Sequence, residues 1–193
     1  MRVFLLARHG QSELNVRGVV NGDPALDRGL SERGREEGRK LGGQIAAVGI
    51  DVCVLTRFPR THATADLSLG ARPVPRVVEP LLDDIDIGEL EGSTLAAYRA
   101  WKRERSRSDP FPGGESLDAA ARRYADAFER LLARDETTML VLAHEIPVRY
   151  AVNAAAGSDD LDGPTHDVAN ATPYVFDELG LARAVERMRE LAD

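Results

Sequence analysis

Apolar residues in this chain gather in short continuous runs, separated by stretches in which they recur every third or fourth position. Val3 to Ala7, Val52 to Leu55 and Thr137 to Ala143 are nearly unbroken apolar segments, and Val74 to Val78 is a shorter one. Runs of this length bounded by polar residues read as strands buried on both faces, as in a parallel sheet. The first is expected to be the central strand. Between them lie helical patterns. Ser31 is placed to cap a helix that carries Leu41, Ile45 and Val48 and stops at Gly49. Another helix is expected to begin near Pro59, since proline suits a first helical turn. A long one from Leu117 to Ala133 carries the stripe Ala121, Tyr124, Ala125, Phe128, Leu131 and Leu132. Ser93 to Arg107, the segment after His144 as far as Ala156, and Leu179 to Leu191 complete the set.

Val16 to Gly29, Leu81 to Gly92 and Gly157 to Pro164 are rich in turn formers and read as loops, and two last strands are expected at Thr165 to Val168 and Thr172 to Asp177. Strands alternating with helices predict an α/β fold, a three-layer α/β/α sandwich around a mostly parallel sheet. The 193 residues fit one domain, 1–193, with a cap at about 93–116.

Composition narrows the picture only a little. A net charge of −7 argues against general affinity for nucleic acid, so any bound anion must be drawn by a local cluster. The single cysteine, Cys53, lies inside an apolar run and reads as a buried strand residue. No apolar run approaches the roughly 20 residues that span a bilayer, which predicts no membrane association and a cytoplasmic protein.

The candidate chemistry lies where the strands end. Ligands of open α/β sheets bind beyond the carboxyl ends of the strands. There this chain places Arg8 and His9 after the first run, Arg60 after the second, Asp84 after the third and His144 after the fourth. Two arginines match the paired oxygens of a phosphoryl group. One histidine, kept neutral by the guanidiniums, can attack phosphorus, the other can donate to an equatorial oxygen, and a carboxylic acid can protonate the departing alkoxide. Arg57, one turn from Arg60, and Asp83 and Asp86, beside Asp84, are the alternatives for those two positions. His62 and His166 read as surface or lip residues. The basic run Arg99, Lys102, Arg103, Arg105, Arg107 reads as a solvated helix face or as a lid that attracts anions.

Five segments in order carry a family resemblance: Arg8-His9-Gly10-x-Ser12, Arg60 with Thr64, Leu82-x-x-Ile85-x-x-Gly88-x-Leu90-Glu91-Gly92, Pro112-Gly113-Gly114-Glu115-Ser116, and a second histidine after a late strand. Together the chain resembles the histidine phosphatase superfamily, with its phosphoglycerate-mutase-like fold, from Val3 to about Tyr174. The resemblance implies that His9 accepts the phosphoryl group, that Arg8, Arg60 and His144 complete the phosphate pocket, that Asn15 contacts substrate or phosphate, and that Asp84 is the general acid. It implies no metal and no cofactor. The expected activity is hydrolysis of a small phosphomonoester through a phosphohistidine. The alternatives are a cofactor-dependent phosphoglycerate mutase and a phospho-ligand binding module without turnover. Mutases of the family carry a longer insertion after the Glu91-Gly92 region, which favours the phosphatase.

Three residues depart from the family pattern. Asp84 stands where a glutamate is usual, one methylene longer. Gln11 stands where glutamate is frequent. Glu145 follows His144 where relatives usually have glycine; it is expected either to face away and support the helix that starts there or to assist Asp84 in carrying the proton.

Overall fold

A computed structural model describes residues 2–193. Five strands, β1 (Val3–Arg8), β2 (Val52–Leu55), β3 (Arg76–Val78), β4 (Thr138–Ala143) and β5 (Pro173–Asp177), form one sheet in the order β3-β2-β4-β1-β5. Every pairing is parallel except β1 with β5. The sheet is therefore mostly parallel, as expected, but its middle strand is β4, with β1 beside it. Apolar runs report burial on both faces, which the two strands share, and carry no information on order across the sheet.

Alternation along each strand sorts the core into two layers. Leu5, Ala7, Cys53, Leu55, Leu140 and Leu142 point to one face, where they meet helices α2 (Glu32–Gln44) and α3 (Pro59–Leu69). Phe4, Leu6, Val54, Met139 and Val141 point to the other, covered by α5 (Leu117–Leu132), α6 (Glu145–Ala155) and α7 (Glu178–Ala192). At roughly 1.5–3 kcal/mol per fully buried large apolar side chain, these two layers supply most of the drive to fold.

Helix α2 begins where Ser31 accepts a hydrogen bond from the Gly34 amide. Its inner face is a glycine seam as well as an apolar stripe. A Cβ on Gly38 would lie 3.0 Å from Leu67 Cβ, and one on Gly42 would lie 2.8 Å from the Ser68 carbonyl oxygen, so α3 approaches backbone to backbone. The same closeness fixes the loop after β1, where a Cβ on Gly10 would fall 2.4 Å from the Gly34 carbonyl oxygen.

A second expectation is corrected, after that of the central strand. Thr165 to Val168 is not a strand; the segment crosses the carboxyl edge of the sheet as a loop, and only Asn170 bridges to Arg8. Residues Glu13–Val16 form a short helix, α1, capped reciprocally by Ser12 and Asn15. The cap region holds α4 (Leu95–Arg103), whose Tyr98 and Trp101 stack on Phe111 at 5.5 and 4.3 Å. Among the described residues no helix is long and apolar enough to cross a membrane.

Candidate active site

The site starts from sheet register. Arg8 lies opposite Ala143 in the β1/β4 ladder, and the His9 amide donates to the Ala143 carbonyl at 3.0 Å. The residues that follow the two strands, His9 and His144, therefore stand side by side, their ring centroids 5.4 Å apart. The His9 carbonyl accepts from Asn170 Nδ2 at 2.7 Å, and the Gly10 amide donates to Thr64 Oγ1 at 3.0 Å, so the backbone on both sides of His9 is held.

His9 Nδ1 lies 2.6 Å from the Gly10 carbonyl. Since a carbonyl only accepts, that nitrogen carries the proton, and Nε2 presents its lone pair to Arg60 Nε at 3.0 Å. Burial, reinforced by Arg60 and Arg8, holds the imidazole pKa well below its ordinary value. His144 is fully buried and its pKa is depressed by the same causes. Its Nε2 meets Thr56 Oγ1 at 3.0 Å, and its Nδ1 faces the site, 3.0 Å from Arg60 Nη2 and 3.4 Å from Asp84 Oδ2. The Thr56 hydroxyl in turn touches Thr61 Oγ1 at 3.2 Å. A guanidinium only donates, so Nδ1 accepts from Arg60 and Nε2 carries the proton, which the Thr56 hydroxyl accepts.

Arg60 is the hub. Pro59 opens α3 and puts Arg60 in its first turn, aimed under the sheet edge with 4% of its side chain exposed. One guanidinium reaches His9, His144, Asp84 Oδ2 at 3.0 Å and Asn21 Oδ1 at 2.5 Å, while the Arg60 amide donates to Asp27 Oδ2 at 2.9 Å. Burial works against its charge; Asp84 and Asp27 work for it. Arg57 is 60% exposed and pairs with Asp83, which removes both as alternatives for the pocket. Asp86 is exposed and accepts from the Gly88 amide at 3.0 Å.

Asp84 is the acid of this loop that enters the site. Arg123, on α5, donates to the carbonyls of Leu81, Asp83 and Asp84 at 2.8, 3.0 and 3.3 Å and so fixes the loop. Burial raises the Asp84 pKa, partly offset by Arg60. A carboxyl pushed this way holds a proton more readily than a solvated one.

Arg8, His9, Asn21, Arg60 and Asp84 line one cavity of about 800 Å³, together with Ser12, Asn15, Leu14, Val19 and Val20 on one side and Leu95, Tyr98, Arg99, Lys102 and Arg103 of α4 above, while His144 lies buried behind Arg60 and Asp84. The cap helix borders the site, and His166 lies at its lip while His62 does not reach it. Asn15 lines the wall, its Oδ1 accepting from the Ser12 amide at 3.0 Å. Arg8 donates from Nη1 to the Val168 carbonyl at 3.1 Å and pairs with Glu145 at 2.8 Å, and its buried Nε has no partner. Glu145 thus faces the cavity, against the first of the two alternatives for it: the first turn of α6 starts at the sheet edge, and two arginines, Arg8 at 2.8 Å and Arg149 at 3.0 Å, draw its carboxylate inward.

Sequence reasoning missed Asn21, Thr56, Arg123 and Arg149. Asn21 lies in a glycine-rich stretch that resembles any loop, and its one signal, Glu91 accepting from its Nδ2 at 2.8 Å, joins residues 70 positions apart. Among the described residues no group of three or more His, Cys, Asp or Glu side chains could hold a metal ion.

Residues 4–190 match the model of the histidine phosphatase superfamily (branch 1), and the chain belongs to that family. It is 34% identical over 190 residues to a 2,3-bisphosphoglycerate-dependent phosphoglycerate mutase of Methylobacterium sp. (strain 4-46), covering 91% of this chain and 90% of the relative. A mutase of the same name from Brucella melitensis is 33% identical over 172 residues, 81% of this chain and 82% of its own. Solved structures share the fold. The alpha-ribazole phosphatase of Shigella flexneri superposes with a TM-score of 0.79 at 23% identity, covering 91% of this chain and 90% of that one. A mycobacterial glucosyl-3-phosphoglycerate phosphatase in complex with VO3 gives 0.75 at 24%, covering 91% and 92%. Because the Methylobacterium mutase aligns over nine-tenths of its own length, a short cap does not set this chain apart from it.

Proposed function

We propose that the chain is a phosphomonoesterase that works through a phosphohistidine at His9. One observation carries this reading: a single buried guanidinium, Arg60, bridges His9 Nε2, His144 Nδ1 and Asp84 Oδ2. In the first step a phosphoryl group displaces that bridge and takes its oxygens to Arg8, Arg60 and His144. His9 Nε2 attacks phosphorus, the bond to the ester oxygen breaks, and protonated Asp84 delivers its proton to the departing alkoxide. Once the phosphoryl group has taken Arg60 from Nδ1, His144 changes tautomer and meets the growing equatorial charge with its proton on Nδ1, the Thr56 hydroxyl now donating to its Nε2. In the second step Asp84, now a carboxylate, takes a proton from water as that water attacks phosphorus, the P–N bond breaks, and inorganic phosphate leaves. Asn15 closes the wall around the phosphate, and small phosphorylated metabolites fit the cavity.

The mutases among the relatives favour a second reading, a phosphoglycerate mutase, in which the phosphoryl group returns to another oxygen instead of to water. A phospho-ligand binding module without turnover is the third. One experiment separates the three. A ³²P-labelled aryl phosphate, quenched in alkali, is expected to label wild type and leave His9→Ala unlabelled, with free phosphate accumulating; Asp84→Asn is expected to slow turnover by about 10²–10⁴, the range for a general acid. Absence of label in wild type refutes the mechanism, and conversion of 3-phosphoglycerate to 2-phosphoglycerate by ³¹P NMR without net phosphate release establishes the mutase.

A further inference from the structure

Arg8 enters the pocket from the end of β1, and one corner of its guanidinium is already fastened. Nη1 donates to Glu145 at 2.8 Å and to the Val168 carbonyl at 3.1 Å, while Nε is buried without a partner. Nη1 is the nitrogen on the Cδ side of the group. Fastening it leaves the Nε–H and an Nη2–H as the parallel pair, the edge that matches two oxygens of a phosphoryl group. A buried N–H without an acceptor is costly, and an entering oxygen removes that cost.

Glu145 is itself fixed from behind. Arg149, one turn along α6, donates to its Oε1 at 3.0 Å and is held in turn by Asp162 at 2.7 Å and the His166 carbonyl at 3.1 Å. Arg8 takes the other oxygen, Oε2, so the carboxylate cannot turn without breaking one of its two pairs. Nor does Glu145 reverse the attraction for a phosphate. Arg8, Lys102, Arg107 and Arg149 stand on this wall against Glu145 and Asp162, with Asp118 pairing Arg107, and the wall keeps a positive excess.

We infer that Glu145 is a positioning residue, which holds Arg8 by Nη1 so that the Nε–Nη2 edge is presented to the phosphoryl group. It acts through Arg8 and not on the substrate. The inference rests on Arg8 as a phosphate ligand, as in the phosphomonoesterase reading, and is independent of what finally receives the phosphoryl group.

Two variants separate reach from charge. Glu145→Gln loses the charge but keeps one acceptor oxygen at full reach, free to face Arg8 because Arg149 retains Asp162. Glu145→Asp keeps the charge but draws the oxygens back by one bond, about 1.5 Å, and an aspartate suits the first turn of α6. Affinity for inorganic phosphate is measured by calorimetry at pH 7.5, with KM and kcat for phenyl phosphate alongside and circular dichroism as the check on folding. Glu145→Asp is expected to weaken phosphate about tenfold and to raise KM likewise, with kcat within about threefold, since Arg8 holds the phosphoryl group both before and during the reaction. Glu145→Ala, which also loses the contact, is expected to follow Asp, and Glu145→Gln to restore affinity to within about threefold of wild type. In an Arg8→Ala background Glu145→Asp is expected to move the phosphate affinity by less than about twofold.

An affinity that follows charge, shifted by Gln and untouched by Asp, overturns the inference. So does a loss from Glu145→Asp that persists without Arg8, and so does a fall in kcat with Gln as large as with Ala, which would make Glu145 a proton carrier. Absence of phenyl phosphate turnover with the expected affinities intact refutes the reaction and leaves the positioning role standing.

Discussion

Lowering the pH from 7.5 to 5.5 presses a proton onto two imidazoles that the fold keeps neutral. His9 and His144 are buried beside Arg60 and Arg8, and both pKa values lie well below the ordinary 6.5. In the unfolded chain each takes up a proton near pH 6.5, so in the acid range the unfolded state binds more protons and stability falls as pH drops. With an unfolded pKa of about 6.5, each histidine costs about 1.4 kcal/mol at pH 5.5 and almost nothing at 7.5, so the pair together costs about 2.7 kcal/mol. Asp84 acts with the opposite sign, since its folded pKa is raised and the native state accepts its proton first. It is common to both proteins in the comparison that follows. Urea unfolding of wild type and of the His9→Gln/His144→Gln double variant is followed at pH 7.5, 6.5 and 5.5 by fluorescence of Trp101, the one tryptophan, which stacks on Phe111 at 4.3 Å. Wild type is expected to lose about 2–3 kcal/mol more than the double variant over this interval, at unchanged m-value. A difference below about 1 kcal/mol would mean that at least one imidazole is charged in the native state, and would remove the basis for His9 as a neutral nucleophile.

Two further outcomes test the scaffold and the hub. Gly10→Ala sets a methyl 2.4 Å from the Gly34 carbonyl oxygen, backbone against backbone, and is expected to lower the urea-derived stability by about 2 kcal/mol or more; a loss under about 0.5 kcal/mol would show that the β1 loop can retreat from α2. Arg60→Lys keeps the charge but cannot reach His9, His144, Asp84 and Asn21 from one planar group, so kcat/KM for an aryl phosphate is expected to fall on the order of 100-fold with circular dichroism unchanged. A loss under threefold would deny Arg60 its bridging role.

The order of strands and helices was legible because it rests on periodicity, which is local. So was the placement of Arg8, His9, Arg60, Asp84 and His144 at strand ends, since the end of an apolar run marks the edge of a buried sheet. The order of strands across the sheet was not, because β1 and β4 are equally apolar and differ only in their neighbours. Thr165 to Val168 was misread for a related reason: β-prone residues there serve to bring the Val168 carbonyl to Arg8, a contact between positions 160 apart. Glu145 shows where single-sequence reasoning stops. That a carboxylate follows His144 is plain, but its direction depends on Arg149 one turn along and Arg8 on another strand.

The position of β4 between β1 and β2 has a consequence for the order of assembly. Neither of those strands pairs with the other; each pairs with β4. While the chain emerges from the ribosome, the segment that bears Arg8 and His9 and the segment that leads to Arg60 have no ladder in common until Thr138–Ala143 is inserted between them, and that same insertion delivers His144. In the sheet, the nucleophile's strand and the strand that leads to the hub are joined only through β4, and pairing strands so far apart in sequence carries a loop-closure cost that is met only when most of the chain is available. Catalytic activity during refolding would time the closing of the sheet itself.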